Sequence, residues 1–190
     1  TAMSSRPAWL DCLDAHPPAL FEAALPIAAE HDTQLQPATI LRDFANLRQQ
    51  VQAGLPNLPA SEMAQPLLRR LNELDFHEDD DLPTRPQAAL LHRVLQRRRG
   101  QPLSLALIAL ELARQLEIPL QAVNFPGHLL LRVPGADHLL DPCSGRRLYP
   151  KDCRELLQRV AGPSAELNAA HLLPCDAHAL LLRLSRNLCH

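Results

Sequence analysis

Two polar residues stand at corresponding ends of two short apolar segments in the second half of the chain. His128 opens the segment 128–133, and Asp141 closes the segment 138–141, with a proline-glycine turn between them. So short a link makes the segments antiparallel neighbours, which predicts that His128 and Asp141 hydrogen-bond to each other. A histidine oriented by a carboxylate is the base of a three-residue nucleophilic site. The alternative is a histidine at a strand edge and an aspartate that caps a turn.

The nucleophile of such a site belongs at the N-terminus of a helix, where unpaired N–H groups and the helix dipole stabilise a thiolate or an oxyanion. The sequence predicts a strongly apolar helix over 102–116, and its first turn contains Ser104 but no cysteine. Ser104 is therefore either a nucleophile activated by His128 or a buried or capping hydroxyl. Cys143, two residues after Asp141, is a second candidate nucleophile, and its alternative is a half-buried thiol that packs as a small apolar group.

Composition limits the classes of partner. The chain has 190 residues, enough for one sizeable core, and its net charge is -2, from 19 basic and 21 acidic residues. This balance gives no electrostatic footprint for nucleic acid or for an anionic membrane. The five cysteines include no CxxC pair, and the histidines lack zinc-ligand spacing, so we predict no metal, no cofactor and a reduced cytoplasmic protein. The sequence has no run of about 18 to 20 apolar residues, so it predicts no membrane span.

The periodicity of apolar residues changes along the chain. Helical spacing continues through residues 1–95, whereas three short strands are predicted after the apolar helix, at 120–125, 128–133 and 138–141. Further helices are predicted from Pro150 to about Val160 and from about Asp176 to the end. The predicted fold class is α+β, with a central helix packed on a small antiparallel sheet. The predicted division is a helical lobe over 1–95, a core over 96–162 and a C-terminal helical segment over 163–190.

Two charged runs have a structural and a functional interpretation. The acidic run from Glu78 to Asp81 is predicted to be a solvated connector, and the alternative is a metal-binding loop helped by His77. The basic run from Arg97 to Arg99, followed by Gly100, is typical of the last turn of a helix. Its alternative is a phosphate-binding site.

Three stretches of the sequence resemble a known family. Residues 98–105 (RRGQPLSL), 123–128 (VNFPGH) and 140–142 (LDP) resemble, in this order, the bacterial SirB-type transglutaminase-like family. The resemblance extends less closely over residues 19–189, including Arg183. It implies a helical lobe, a transglutaminase-like core and a tail of tetratricopeptide-type repeats. We expect the repeat tail to be missing from this member or to lie outside this sequence.

The resemblance also assigns site residues. It places His128 and Asp141 on the base and the orienting carboxylate of the parent fold, and Asn124 and Arg99, within the matching stretches, are candidate binding residues. It further places Glu117 where such helices usually have glycine, which predicts an adjusted helix end.

The parent fold's cysteine nucleophile is missing, because no cysteine lies between Cys12 and Cys143. The sequence therefore favours a non-enzymatic interaction or regulatory module whose partner is another protein or a peptide. The alternative is an acyl-transfer or amide-hydrolysing enzyme that uses Ser104, His128 and Asp141.

Overall fold

The computed structural model describes residues 36–79, 91–175, 179–180, 182–183 and 186. Within these ranges the chain forms five α-helices: α1 (Pro37–Ala53), α2 (Ala64–Glu73), α3 (Leu91–Arg97), α4 (Pro102–Gln115) and α5 (Pro150–Ala161). Short 3-10 turns occupy Ala60–Glu62 and Ala169–Leu172. The helical spacing before residue 36 and the predicted start of the last helix, at about Asp176, lie outside the described residues. No helix of the described ranges is long and apolar enough to cross a bilayer.

The strands form two separate sheets. A two-residue parallel pair joins β1 (His77–Glu78) to β2 (Arg99–Gly100). The larger sheet is antiparallel and contains, in spatial as well as chain order, β3 (Gln121–Phe125), β4 (His128–Arg132), β5 (Leu139–Leu140) and β6 (Arg147–Leu148). The predicted antiparallel pairing of the second and third segments is confirmed, since Leu131 lies opposite Leu140. The α+β fold class is also confirmed.

Helix α4 occupies the centre of the molecule, as its apolar circumference predicts. Every residue from Leu103 to Ala113 is buried. One face of the large sheet packs against this helix through Leu129, Leu131 and Leu140. The other face packs against α5 through Val123, Phe125, Leu130 and Leu139. The sheet is thus covered by a helix on each side.

Helices α1 and α2 contribute to the same hydrophobic core as α4. Pro37 begins α1, and Ile40, Phe44, Leu47 and Val51 are buried on one face at helical spacing. Leu41, the apolar residue next to Ile40, is 47% exposed, so the buried face of α1 includes fewer residues than its apolar sequence offers. The division between a lobe over 1–95 and a core over 96–162 stays a prediction, and these helices share one core cluster across it.

Two helix ends differ from the prediction. Helix α4 was expected to adjust so that Glu117 avoids the left-handed region, yet Glu117 has φ = 57°. The amide of Ile118 donates to the carbonyl of Ala113 at 2.8 Å, which closes a Schellman motif that requires this conformation at the preceding residue. At the end of α3, Arg98 (φ = 58°) makes the left-handed turn, whereas Gly100 belongs to β2.

Candidate functional site

A cavity of about 510 Å³ opens beside the N-terminus of α4. Its walls come from β1, the first turn of α4, the start of β4, the loop after β5, and Arg183 near the end of the chain. Both His128 and Asp141 line it, as do Pro102 and Leu103 of the helix. The volume falls in the range of small-molecule and peptide side-chain sites, about 300 to 1,000 Å³. The cavity therefore brings together two of the residues that the sequence singles out.

The expected hydrogen bond between His128 and Asp141 does not form in the described part of the chain. The β4–β5 register pairs Leu131 with Leu140, so its continuation places Asp141 opposite Leu130 and two positions away from His128. Diagonal neighbours across strands have Cα atoms about 7 to 8 Å apart. At this offset the Asp141 carboxylate accepts a hydrogen bond from the Cys143 amide and not from the His128 ring. The two residues share a cavity without forming a pair.

Asp141 instead organises the loop that follows β5. Its Oδ1 atom accepts a hydrogen bond from the backbone amide of Cys143 at 2.7 Å. Helix α2 fixes the same loop, because the Asn72 side-chain amide donates to the Cys143 carbonyl at 2.6 Å and the Gln65 amide donates to the Gly145 carbonyl at 3.0 Å. Asp141 therefore caps a turn, as one of the two interpretations predicts, and it also lines the cavity.

The two candidate nucleophiles are poorly placed for catalysis. Ser104 is fully buried, its Oγ atom has no hydrogen-bond partner among the described residues, and it does not line the cavity. Cys143 does line the cavity. Burial, followed by the negative charges of Asp141 and Glu78, raises the pKa of its thiol to about 12. A thiol with that pKa is almost wholly protonated at neutral pH, and the thiolate is the reactive form.

The acidic run contributes to the site rather than acting only as a solvated connector. Glu78 is exposed, but the Asp79 side chain is 6% exposed and pairs with the Arg97 guanidinium at 3.5 Å. Both acidic residues line the cavity. The connector prediction is therefore wrong for Asp79, because β1 pairs with β2 and carries this carboxylate inward. Residues 80 and 81 of the run lie outside the described ranges.

The two candidate binding residues have different environments. Asn124, on β3, accepts a hydrogen bond at its Oδ1 from Nη1 of Arg183 at 2.6 Å, and Arg183 lines the cavity. Arg99 does not line the cavity, since its guanidinium binds the carbonyl and carboxylate of Asp75. The other arginines of the basic run also contact residues of the protein itself. Arg98 donates to the Leu74 carbonyl and lies over the Phe76 ring, and Arg97 pairs with Asp79.

Sequence reasoning missed Arg183 as a member of the site, and it considered Asp79 only as part of the acidic run. The only sequence signal for Arg183 is the less close part of the family resemblance. Asp79 carries no signal of its own, because its burial depends on a partner, Arg97, that is distant in sequence.

A family model matches most of the chain. The model of the transglutaminase-like superfamily aligns with residues 38–186, which include α1 through α5, the whole four-stranded sheet and Arg183. The chain belongs to the transglutaminase-like superfamily. In this transglutaminase-like domain, the cavity adjoins the helix turn at which the sequence resemblance expects a cysteine.

Proteins similar to this chain differ in how much of their length is matched. A UPF0162 protein of Pseudomonas aeruginosa is 61% identical over 187 residues, which cover 98% of this chain and 69% of the relative. A UPF0162 protein of Xylella fastidiosa is 42% identical over 111 residues, or 54% of this chain and 39% of the relative. The human F-box only protein 21 is 57% identical over 42 residues, or 22% of this chain and 7% of the relative. No solved structure matches the chain.

Proposed function

We propose that this transglutaminase-like domain binds a protein or peptide segment in the cavity beside α4 and catalyses no acyl transfer there. The proposal places the chain in the bacterial SirB-type group, in the cytoplasm, as a regulatory or interaction module. The observation that carries it is the wall at the N-terminus of α4. Pro102 and Leu103 form that wall, so neither residue supplies a nucleophile where the parent fold needs one.

The remaining polar residues suit binding better than catalysis. His128 and Asp141 both line the cavity, but the Asp141 carboxylate accepts from the Cys143 amide and not from the histidine ring. The histidine therefore lacks the orienting carboxylate of an activated base. Cys143 lies in the same cavity with a pKa of about 12, which keeps its thiol neutral. Apolar side chains of α4 and β4 supply much of the remaining wall. A mixed apolar and polar concave surface is the usual form of a ligand site.

Covalent probes test the proposal directly. The protein would be incubated with a fluorophosphonate probe, which reacts with activated serines, and with an activated ester, and the products analysed by mass spectrometry. We expect no modification of Ser104 and no more modification of the wild-type protein than of a His128→Ala variant. Labelling of Ser104 that disappears in the His128→Ala variant would support the acyl-transfer or amide-hydrolysing alternative instead.

A further inference from the structure

The cavity beside α4 has groups of opposite charge anchored on different strands. The guanidinium of Arg183 is held at β3 by the Asn124 side chain, at 2.6 Å between Nη1 and Oδ1. Asp141 follows β5 directly, and β4, which begins with His128, lies between β3 and β5. Neighbouring strands are about 4.8 Å apart, so the two anchors are separated by roughly 10 Å across the sheet. The cavity thus has a positive side and a negative side.

Arg183 has donors available for a ligand. Within the described part of the chain its guanidinium makes one hydrogen bond, to the neutral amide of Asn124, and forms no ion pair. A guanidinium carries five N–H donors in a planar fork that matches the two oxygens of a carboxylate. The contact with Asn124 therefore orients the fork, and the described residues leave its other donors to an anionic group that enters the cavity.

Asp141 provides the opposite pole. One carboxylate oxygen accepts the Cys143 amide, and the second oxygen accepts no hydrogen bond from a described residue. Glu78, which lines the same cavity, adds a second negative charge. Burial raises the pKa of the neighbouring Cys143 thiol most, and the charges of both carboxylates raise it further. A cation is the group that this side of the cavity favours.

Polar and apolar residues together line the rest of the cavity, among them Leu103 of α4 and His128 of β4. A ligand that spans the cavity therefore needs a charged group at each end. Two side chains that are two residues apart in an extended peptide point to the same face, which gives a peptide this pattern.

We infer that the cavity selects peptide segments that carry an acidic and a basic side chain on one face, with the carboxylate on Arg183 and the cation on Asp141. The inference rests on the binding role proposed above and specifies the chemical class of the partner. His128, at the start of the strand between the two anchors, offers its ring nitrogens to the peptide backbone or to an intervening polar side chain.

A randomised seven-residue peptide library, selected on the immobilised full chain and sequenced, tests this inference. We expect enrichment of peptides that hold one acidic and one basic residue two positions apart. The Arg183→Met variant should lose the acidic preference by about tenfold, the size typical of a charge-assisted hydrogen bond, and should retain the basic one. The Asp141→Asn variant should lose only the basic preference.

Conservative substitutions separate loss of charge from loss of structure. Asparagine at position 141 keeps the oxygen that accepts the Cys143 amide, so the loop is retained. Arg183→Lys keeps the positive charge and should preserve most of the acidic preference. Enrichment of neutral peptides, or of peptides with one sign of charge, would overturn the inference and leave the binding role intact. If no peptide is enriched, the inference and the peptide-binding role both fail, whereas the absence of catalysis is decided separately by the covalent probes.

Discussion

Cys143 is the cavity residue whose chemistry depends most on its neighbours. Its thiol is half-buried, and burial contributes more to its raised pKa than the charges of Asp141 and Glu78 do. The protonated form is stabilised in the folded state, so this thiol contributes stability below its unfolded pKa of about 8.5 and loses that contribution as the pH rises towards 12. At neutral pH the residue behaves as a small apolar group.

An Asp141→Asn substitution should make this thiol more reactive. Removing one of the two negative charges lowers the pKa of Cys143, and burial keeps the value above the ordinary one. The rate of iodoacetamide alkylation at pH 9, followed residue by residue with mass spectrometry, should therefore increase several-fold. Asp137→Asn is the matched control, because Asp137 is exposed and contacts His138 rather than the cavity. Equal rates in wild type and Asp141→Asn would show that the carboxylate does not act on the thiol.

At this scale the sequence predicts which residues are chemically interesting better than it predicts their partners. The positions of His128 and Asp141 follow from two apolar segments and a short turn, and both residues line the cavity. Their separation does not follow, because it depends on a register offset of two residues that the turn sequence alone does not fix. Arg183 reaches the cavity through tertiary packing, to which neighbouring residues give no clue.

At the scale of elements, α4 fulfils the sequence prediction except at its last turn. Its apolar circumference and the proline at its first position both follow from residue types. Glu117 is the departure, since it adopts φ = 57° in place of the glycine that this conformation favours. Hydrogen bonds of the helix end and burial of Ile118 outweigh the local strain.

Replacing Glu117 by glycine should stabilise the protein. A left-handed conformation costs a residue with a Cβ atom about 1 kcal/mol, and glycine avoids that cost. The free energy of unfolding, measured by denaturant titration, should therefore rise by about 1 kcal/mol in the Glu117→Gly variant. Glu117→Ala is the control, because it removes the exposed carboxylate and keeps the strained Cβ. A gain in the alanine variant equal to that in the glycine variant would assign the effect to charge rather than to conformation.

The strands divide into those that the sequence predicts and those that it does not. β3, β4 and β5 follow from short apolar or alternating segments bounded by turns. β1, β2 and β6 contain two residues each. Unlike β5, which is also this short, they do not belong to an apolar segment that a turn joins to another predicted strand, so their pairing is set by the surrounding packing. The inward position of Asp79 is a consequence of the β1–β2 pair and could not be predicted without it.

At the scale of the whole molecule, the loop after β5 joins the helical part of the chain to the sheet. Asn72 and Gln65 of α2 hold its backbone. Gly145 lies in this loop with φ = 74°, and a Cβ atom there would lie 3.1 Å from the Cβ of Leu68 on α2. Close approach of the loop to α2 therefore requires glycine, and it also fixes Asp141 at the cavity.

A Gly145→Ala substitution should both destabilise the fold and weaken peptide binding. The matched control is Gly135→Ala, because Gly135 has φ = 82° with nothing within 4 Å of the added Cβ. We expect Gly135→Ala to lower the free energy of unfolding by about 1 kcal/mol through conformation alone. Gly145→Ala should lower it further, since α2 and the loop must also separate. Equal losses in a denaturant titration would contradict the proposed docking of the loop on α2.

The central claim is that this transglutaminase-like cavity binds without an acyl-transfer nucleophile, and amine incorporation tests it most directly. Wild type, His128→Ala and Pro102→Cys would each be incubated with a glutamine-donor protein and a biotin-labelled primary amine. Pro102 lines the cavity at the first position of α4, where the helix N-terminus lowers the pKa of an introduced thiol. That variant tests whether the missing thiol is what limits the site.

We predict that wild type and His128→Ala incorporate the amine at the same background level, and that any gain above this background occurs in Pro102→Cys and is lost with iodoacetamide. Incorporation by the wild-type protein that is abolished in the His128→Ala variant would contradict the account.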